Sequence, residues 1–401
     1  MIYDALIIGA GPAGATAALM LAKAGWSVAV IEKEQFPRRK VCGEFMSATS
    51  LPLLDELGVA GPFCERAGPD VRRVGLFAQQ TVLSATMPQT TGLRGPWGRA
   101  LGREHLDTLL LDAAVRTGAT LWQPCCATEL RRSPDGYVCT IASRVGSAQL
   151  AARLVIAATG SWTRNDWARR AQGGEAPAHR PSDLLAFKAH LEGSDLPADL
   201  MPLLVFAGGY GGMVHSDAGR VTLSCCIRRD TLAQSRRRYP TPHAGDAVLQ
   251  HILASCAGAR EALRHARRAG PWLAAGPIRP GIRRRWRERV FFVGNIAGEA
   301  HPIVAEGISM AMQSAWLLCR RLIARQDDVA AGRAAPDVGS DYAAAWDALF
   351  AARIRAAAVF AYVFTRPSAT TALLPVLKLF PRTLTFGAHL SGKAAQPVDA
   401  R

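Results

Sequence analysis

One stretch near the N-terminus decides the fold, and it reads Ala5-Leu6-Ile7-Ile8-Gly9-Ala10-Gly11-Pro12-Ala13-Gly14. The apolar run 5–8 predicts a buried strand, the glycines predict a tight turn, and residues 12–24 predict a helix. A second buried strand is predicted over 27–32, and it ends in Glu32. In such a unit Gly9 permits the turn, Gly11 lets the backbone approach a pyrophosphate, and Gly14 allows close helix–strand packing. The stretch therefore predicts a dinucleotide-binding βαβ unit, in which Glu32 accepts the ribose hydroxyls.

The chain returns to this unit late. A helix is predicted over 103–117, followed by a strand over 121–126, a hairpin around Pro134-Asp135-Gly136 and a buried strand over 154–158. Residues 290–323 again predict a strand, a glycine-rich loop and a long helix. We therefore expect the nucleotide domain to be discontinuous, over 1–180 and 275–325.

Two further regions complete the predicted organisation. Alternating apolar stretches at 184–189, 203–207 and 221–227 predict an antiparallel sheet, so residues 181–274 are expected to form a substrate domain. Residues 326–401 predict a helical C-terminal region, interrupted by Pro367, Pro375 and Pro381. The expected fold class is α/β, a doubly wound Rossmann-like domain with an inserted antiparallel-sheet domain and a helical C-terminal region.

Composition favours a globular protein. The chain has 401 residues, of which 49% are hydrophobic, enough to bury a large core. No stretch reaches the roughly 18 uncharged apolar residues of a membrane span, and no signal peptide is indicated. The nine cysteines are an odd number without C-x-x-C spacing, which argues against a disulfide framework or a metal site. We expect a cytoplasmic location, with peripheral attachment to a membrane left open.

The charge is strongly positive. A net charge of +16 results from 48 Lys and Arg against 32 Asp and Glu, with arginine clusters at 236–238, 264–268 and 283–289. These clusters are either solvated faces of an arginine-rich protein or a surface for an acidic carrier protein, an anionic membrane or an anionic substrate. Nucleic acid is not expected, because no recognition motif accompanies the charge.

A second motif lies near residue 294. It reads Val290-Phe291-Phe292-Val293-Gly294-Asn295-Ile296-Ala297-Gly298, followed by His301-Pro302 and Glu306-Gly307-Ile308. Together with Arg103-Glu104-His105-Leu106-Asp107 and Ala158-Thr159-Gly160, it resembles the flavoprotein superfamily of aromatic hydroxylases, flavin-dependent halogenases and geranylgeranyl reductases. The resemblance spans roughly residues 1–320. It implies FAD as the cofactor, bound without a covalent link.

The resemblance also implies the residues of the cofactor site. In the superfamily the late motif reads Gly-Asp and its carboxylate holds the flavin ribityl chain, whereas here the acid is replaced by Asn295, whose amide can still accept a hydroxyl hydrogen bond. The helix that follows Pro302 is expected to point its positive end at the flavin. The expected FAD-binding residues are Gly9, Gly11, Pro12, Ala13, Gly14, Glu32, Lys33, Arg38, Cys42, Gly43, Arg103, Gly160, Gly294, Asn295, Pro302, Gly307 and Ile308.

Three side chains are candidates for catalysis. Cys42 lies in the loop Pro37-Arg38-Arg39-Lys40-Val41-Cys42-Gly43-Glu44, which resembles the geranylgeranyl-reductase-like branch and places the thiol near the flavin, as a proton donor or as a packing group. Tyr210 lies in the glycine cluster 208–212, which predicts either a plain turn or a hairpin that lets a bulky substrate approach. His301 is a candidate for proton transfer. The halogenase motif Gly-Trp-x-Trp is absent from this segment, which disfavours halogenation.

The resemblance leaves three functions open. The leading one is monooxygenation of a hydrophobic or aromatic small molecule in specialised metabolism. The second is saturation of a C=C bond in a lipophilic substrate, as in the geranylgeranyl reductases. The third, of another class, is a flavin-bound electron-transfer or partner protein. Because no second nucleotide domain is visible, NAD(P)H that binds transiently or a separate reductase is the expected electron source.

Overall fold

A computed structural model describes residues 2–90, 95–161, 167–168, 172–173, 178–330 and 335–393. Residues 394–401 of the predicted C-terminal region therefore lie outside the described residues. The strands are β1 (Ile2–Ile8), β2 (Val28–Ile31), β3 (Phe45–Met46), β4 (Arg73–Ala78), β5 (Thr81–Thr86), β6 (Arg99–Ala100), β7 (Thr120–Trp122), β8 (Cys126–Ser133), β9 (Gly136–Ser143), β10 (Gly146–Ala157), β11 (Leu184–Glu192), β12 (Leu200–Phe206), β13 (Gly209–His215), β14 (Val221–Arg228), β15 (Arg267–Arg268), β16 (Leu273–Ile278), β17 (Gly281–Ile282), β18 (Trp286–Arg287), β19 (Val290–Phe292) and β20 (Gly298–Glu299).

The helices alternate with these strands in the first third of the chain and dominate the last third. The α-helices are α1 (Pro12–Lys23), α2 (Leu51–Leu57), α3 (Ala60–Arg66), α4 (Arg103–Arg116), α5 (Arg229–Arg238), α6 (Ala244–Ser255), α7 (Ala257–Ala262), α8 (Gly307–Ala324), α9 (Gln326–Ala330), α10 (Ala335–Phe364), α11 (Pro367–Leu379) and α12 (Arg382–Ala388). Short 3₁₀ turns cover Ala48–Ser50, Asp217–Gly219, Gly294–Ile296 and Pro302–Val304, and a π-helical turn covers His389–Lys393.

The first sheet has the order β18-β19-β10-β1-β2-β7. Strand β1 pairs in parallel with β2 and with β10, and β10 pairs in parallel with β19. These strands are short apolar runs buried on both faces, as parallel strands covered by helices must be. The predicted return of the chain from β2 to β10 and then to β19 is confirmed.

The second sheet has the order β15-β11-β14-β13-β12-β4-β5, with β16 paired to β11. Apart from the parallel β4–β12 pair, its strands pair antiparallel, as expected for the substrate region. Its strands β4 and β5 come from residues 73–86, inside the range that the sequence assigns to the nucleotide domain. The second sheet therefore contains strands that precede β10 in the chain and strands that follow it. Helices α6 and α7 cover one of its faces. The glycine cluster 208–212 forms the turn after β12 and the start of β13, so of the two predicted alternatives it is part of a hairpin.

The C-terminal helices close the structure. The first half of α10 packs into the core of the first sheet through Tyr342, Trp346 and Phe350. Helix α11 packs through Leu374 and Leu377 on the second sheet. Pro375 was expected to break the helical region, but it lies inside α11. Its missing N–H removes one helical hydrogen bond, and the helix continues past it.

No helix among the described residues is by itself long and apolar enough to cross a membrane. The segments Pro336–Phe364 and Pro367–Leu379 meet the length and composition criteria only as a pair, and they are bent by 103° relative to each other.

Candidate active site

A cavity of about 880 Å³ begins where four parallel strands end. The residues at or just beyond the carboxyl ends of β1, β2, β10 and β19 line it, and they include Gly9, Glu32, Gly160 and Gly294. In a doubly wound fold this edge of the sheet is where a nucleotide binds. All the sequence-predicted site residues line the cavity except Gly14.

The three glycines of the first turn differ in what surrounds them. Gly9 has φ of +104°, and a Cβ atom there would lie 2.5 Å from the Ala158 carbonyl oxygen. A Cβ at Gly14 would lie 1.8 Å from the Gly9 carbonyl oxygen, so this glycine serves the contact between helix and strand. At Gly11 the nearest atoms to a Cβ are the guanidinium nitrogens of Arg103 and Arg38, at 3.7 and 4.0 Å. The protein itself therefore leaves space at Gly11, and a ligand that approaches the backbone can use it.

Glu32 is fixed by the backbone on both sides. Its Oε2 accepts a hydrogen bond of 2.8 Å from the Ala10 N–H, and its Oε1 accepts one of 2.9 Å from the Glu34 N–H. The Ala10 contact ties the carboxylate to the glycine turn. The acid therefore stands at the end of β2, beside the N-terminus of α1, where the ribose of a dinucleotide is expected.

Two arginines form the positive wall of the cavity. Arg38 and Arg103 both bind Asp107, with Nη1 of Arg38 2.7 Å from Oδ2 and Nε of Arg103 2.7 Å from Oδ1. Burial by itself would lower the pKa of Arg103, but the charge of Asp107 outweighs it and raises the pKa above its usual value. Nε of Arg38 is buried and has no hydrogen-bond partner among the described residues. One carboxylate thus holds two guanidinium groups beside the open backbone of Gly11, an arrangement suited to a pyrophosphate.

A carboxylate that we did not predict lies beside Asn295. Nδ2 of Asn295 donates to the Ser161 hydroxyl at 2.9 Å and to Oε1 of Glu299 at 3.2 Å, and the Ser161 hydroxyl donates to the same Oε1 at 2.8 Å. Oε2 of Glu299 is buried without a hydrogen-bond partner among the described residues, and burial raises the pKa of this carboxyl. Glu299 follows Asn295 by one helical turn in the sequence, and this spacing was the signal that could have revealed it.

Two uncharged polar side chains face the middle of the cavity. His301 Nδ1 and the Tyr210 hydroxyl lie 3.3 Å apart. Burial lowers the pKa of His301 to about 4, and burial together with the neighbouring Cys226 raises the pKa of Tyr210 well above its usual value. Both groups are therefore neutral near pH 7. His215, by contrast, bonds to the Leu196 carbonyl oxygen at 2.7 Å and does not line the cavity.

Cys42 lies at the wall formed by Arg103. The Glu44 N–H donates to its sulfur at 3.3 Å, and the thiol also interacts with the Arg103 guanidinium. Cys42 lines the cavity and packs against the first core. The thiol is thus held by two donors at the arginine wall.

A second unpredicted group fixes the loop that carries Cys42. The buried Glu44 carboxylate binds Lys188, lies 2.8 Å from Nε2 of His190 and accepts a hydrogen bond of 2.6 Å from the Thr222 hydroxyl. Burial tends to raise the pKa of Glu44, but the His190 hydrogen bond and the Lys188 charge outweigh it and hold the pKa at about 2. The partners lie on β11 and β14, so this cluster joins the cofactor loop to the second sheet.

The far end of the cavity is apolar. One wall is the face of the second sheet, and the opposite wall comes from the C-terminal helices. The large apolar residues of that helical wall are Val359, Phe360, Val363, Phe364, Leu373, Leu377 and Leu384. A single chamber thus runs from charged groups at the strand ends to an end suited to a lipophilic molecule.

The donor set fits FAD. The open backbone at Gly11 and the side chains of Arg38 and Glu299 line one cavity. Nε of Arg38 has no hydrogen-bond partner among the described residues, and Oε2 of Glu299 has no hydrogen bond but lies 3.6 Å from Nη2 of Arg283. These are groups that a pyrophosphate and a polyhydroxylated chain would satisfy.

Comparison with known proteins agrees with this fit. The family described as FAD binding domain matches residues 2–349. Menaquinone reductase of Mycolicibacterium smegmatis is 24% identical over 99% of this chain and 93% of its own length. Rifampicin monooxygenase of Streptomyces venezuelae is 24% identical over 81% of this chain and 65% of its own length. Among solved structures, the flavin-dependent brominase Bmp2 superposes with a TM-score of 0.79 at 19% identity, covering 98% of this chain and 94% of that one, which shows a common fold.

Proposed function

Since the chain belongs to the FAD-binding domain family and is a flavoprotein oxidoreductase, we propose that it is a monooxygenase that hydroxylates a lipophilic aromatic small molecule in specialised metabolism. The observation that carries the proposal is the neutral His301–Tyr210 pair, which lines the same cavity as the charged residues at the strand ends and the apolar residues of the C-terminal helices.

The cofactor residues have separate tasks in this proposal. Glu32 accepts the ribose hydroxyls, Arg38 and Arg103 bind the pyrophosphate, and Gly11 gives it access to the N-terminus of α1. Asn295 and Glu299 hold the ribityl chain, and the segment from Pro302 to Ile308 meets the flavin ring. Once reduced, FAD supplies electrons and activates molecular oxygen. The overall balance is O₂, two electrons and two protons, consumed to convert a substrate C–H into C–OH and one water, with the electrons coming from NAD(P)H or a separate reductase.

The protein's own residues orient and activate the substrate. A neutral imidazole is a hydrogen-bond acceptor and a poor acid, so His301 suits a substrate hydroxyl group whose proton it accepts or shares. Sharing that proton increases the electron density of an aromatic ring, which favours its hydroxylation. Tyr210 orients the imidazole, and the apolar walls exclude water from the reacting end.

The test is the reaction of the reduced protein with oxygen. The holoprotein is reduced without oxygen, mixed rapidly with oxygenated buffer and followed by flavin absorbance, with and without candidate phenolic lipids. We expect an absorbance phase distinct from those of reduced and oxidised flavin, and oxygen consumption coupled to product. Direct return to oxidised flavin, with no product for any substrate that binds, would refute the monooxygenase proposal.

The role of His301 gives a prediction for pH. Because its pKa is about 4, hydroxylation should show no loss assignable to His301 as the pH falls from 8 through the ordinary histidine range near 6.5. His301→Gln should keep FAD bound and lower kcat by about a hundredfold, a typical loss for a proton-transfer group. An acid limb near pH 6.5 that disappears in His301→Gln would mean that the imidazole keeps an ordinary pKa and loses its role when it becomes protonated.

A second candidate function is saturation of a C=C bond in a lipophilic substrate. The likeness to menaquinone reductase along nearly the whole chain favours it, as does the presence of Cys42 in the cavity wall. In this reaction the bound flavin would supply a hydride for one carbon, and a side chain of the cavity wall would donate a proton to the other. Cys42→Ala separates the two candidates, because a monooxygenase needs no thiol donor. Activity within about tenfold of wild type supports hydroxylation, whereas a loss of several hundredfold with FAD bound supports saturation.

A further inference from the structure

The outer side of the C-terminal helices exposes an unusual number of large apolar side chains. Leu379 is 72% exposed and Phe386 62% exposed, although both belong to apolar helices. The set, which we call the C-terminal apolar surface, consists of Val359, Tyr362, Val376, Leu379, Phe380, Phe386 and Leu390. The other exposed large apolar residues of the described chain are single ones spread over 2–282. A concentration of this kind marks an interaction surface.

The same segment has only one sign of charge. No Asp or Glu occurs between residues 348 and 393. Of the basic residues there, Arg355, Lys378 and Arg382 are exposed and Arg353 and Arg366 are half-buried, whereas Lys393 is buried beside Glu306 and does not contribute to the surface. The Arg366 guanidinium lies 3.5 Å from the centre of the Tyr362 ring, so a cation and an aromatic side chain occupy the same spot on the surface. Basic side chains next to exposed apolar ones are typical of elements that lie in the interface of an anionic bilayer.

The helices that carry this surface also wall the cavity. Leu377 lines the cavity while its neighbour Val376 belongs to the apolar surface, and Val359 belongs to both. The apolar surface and the apolar end of the cavity are therefore two sides of one thin helical layer.

The C-terminal helices are not free to cross a membrane. Tyr342, Trp346 and Phe350 anchor the first half of α10 in the core of the first sheet. The exposed large apolar residues of this region lie on the second half of α10, on α11 and on or just after α12, and the 103° bend sets α10 and α11 at a steep angle. This arrangement suits helices that lie on a surface.

We propose that the C-terminal apolar surface docks on an anionic lipid bilayer. The basic residues provide long-range attraction and the apolar residues bury area among the headgroups. An acidic carrier protein would also be attracted by the charge, but the exposed leucine, phenylalanine and valine side chains favour a lipid phase as the partner. Docking does not depend on the reaction; only its use, delivery of a lipophilic substrate through the helical layer, rests on the proposed function.

The test is flotation of the FAD-loaded chain with phosphatidylcholine vesicles that do or do not contain phosphatidylglycerol. We expect binding to the anionic vesicles, and a steep loss as salt shortens the Debye length below about 8 Å. Leu379→Ser with Phe386→Ser should weaken binding by at least about tenfold, because two large side chains lose their lipid contact. Arg382→Glu should weaken it by on the order of fivefold or more, as the removal of one charge at such a surface does.

Matched controls lie on the β9–β10 hairpin. Val145→Ser changes an apolar residue that is 98% exposed, and Arg144→Glu reverses an exposed charge, so neither should affect binding if the C-terminal apolar surface is the docking site. The absence of binding to anionic vesicles, equal losses in the control variants, or binding to an acidic acyl carrier protein in place of vesicles would each overturn the proposal. Because flotation needs no turnover, its failure leaves the proposed function untouched, and the oxygen experiment leaves docking untouched.

Discussion

Gly11 and Gly14 belong to one turn, yet a side chain would meet different surroundings at each. A Cβ at Gly11 has no atom closer than 3.7 Å, whereas a Cβ at Gly14 would lie 1.8 Å from a carbonyl oxygen. The space at Gly11 is therefore available to a ligand, whereas the lack of a side chain at Gly14 allows the helix to approach the backbone of the turn.

This contrast predicts opposite phenotypes for two identical changes. Gly11→Ala should weaken FAD binding by at least about tenfold, or ~1.4 kcal/mol. The same change should alter the stability of the FAD-free chain by no more than about 1 kcal/mol, the usual range for a residue at a helix N-cap. Gly14→Ala should destabilise the FAD-free chain by about 3 kcal/mol or more, since backbone must move. Urea denaturation of the FAD-free chains and FAD titration measure both; equal loss of stability in the two variants would contradict the assignment.

Asn295 provides a second prediction at this scale. Asn295→Asp restores the acid of the related flavoproteins, but it places a carboxylate where Nδ2 lies 3.2 Å from Glu299 Oε1. Two carboxylates at that distance repel each other, and the pKa of Glu299 is already raised by burial. Asn295→Asp should therefore bind FAD more weakly than wild type at pH 8 and recover as the pH falls towards 6 and the pair takes up a proton.

The double variant Asn295→Asp, Glu299→Gln is the control for this effect. It exchanges the positions of acid and amide, and it should restore FAD affinity to within about threefold of wild type, less than 1 kcal/mol. Tighter FAD binding in Asn295→Asp alone, at pH 8, would mean that Glu299 does not share the site.

The limits of sequence analysis are visible in the same residues. Glu32 could be predicted because its place after a strand and a glycine turn fixes its task locally. Glu44 could not, because its partner Lys188 is distant in the chain and only the packing of the two sheets brings them together. Glu299 was missed although its spacing from Asn295 was visible, because the family pattern directed attention to position 295 alone.

At the scale of elements, the Glu44 cluster joins the cofactor loop to strands β11 and β14. Its Lys188 is fully buried, so the ion pair is a structural link and not a surface contact. Glu44 itself has a φ of +64°, a strained conformation for a residue other than glycine. A glutamate is thus kept at a position where the backbone conformation favours glycine. The reason is its carboxylate, which the buried Lys188, His190 and Thr222 need as a partner.

Glu44→Gln should destabilise the protein by about 3–5 kcal/mol, because Lys188 would remain buried without a counter-charge. Adding Lys188→Met should recover part of the loss. Since the pKa of Glu44 is lowered to about 2, the pair stabilises the fold at pH values above the unfolded value near 4.5 and loses this effect as the pH falls towards 2. The wild type should therefore lose more stability than Glu44→Gln over that interval.

An exposed ion pair is the control for this prediction. Glu261 lies 3.4 Å from Arg264, and both side chains are largely exposed, so Glu261→Gln should change the free energy of unfolding by less than about 1 kcal/mol. Comparable losses for Glu44→Gln and Glu261→Gln in urea denaturation would show that the buried cluster is not a link between the sheets.

The accuracy of the sequence predictions also varies between elements. Strands β1, β2 and β19 and the end of β10 were predictable because they are short continuous apolar runs. The first part of β10, which is exposed and pairs with β9, was not predicted. The glycines at the start of β13 predicted either a plain turn or a hairpin, and the structure has the β12–β13 hairpin. There a Cβ at Gly209 would lie 2.5 Å from the Cys226 carbonyl oxygen, and one at Gly211 would lie 2.8 Å from that of Ser224, so close strand packing requires these glycines.

At the scale of the whole molecule, one cavity draws on all three predicted regions. The nucleotide region supplies the charged end, the second sheet supplies one wall, and the C-terminal helices supply the apolar end. The position of these helices was the least predictable feature, since apolar helices of this composition pack equally well as a cap or at an interface. Substrate size should therefore be set by the C-terminal helices, which supply none of the residues expected to bind FAD.

A substitution at Gly387 tests whether the C-terminal helices set the size of the substrate. It lines the cavity from α12, and a Cβ there would meet no atom within 4 Å, so Gly387→Leu adds a side chain to the chamber without a clash. The variant should bind FAD normally, and its stability should rise by about 0.5–1 kcal/mol because glycine is a poor helix former. Binding of the lipophilic dye Nile red, measured by fluorescence titration, should weaken by about tenfold or more, because an extra side chain of this size occupies space that the dye needs.

Gly61→Leu is the matched control, since Gly61 lies in α3, has equally open surroundings and does not line the cavity. Unchanged dye binding in Gly387→Leu, or equal weakening in Gly61→Leu, would show that α12 does not wall the substrate end.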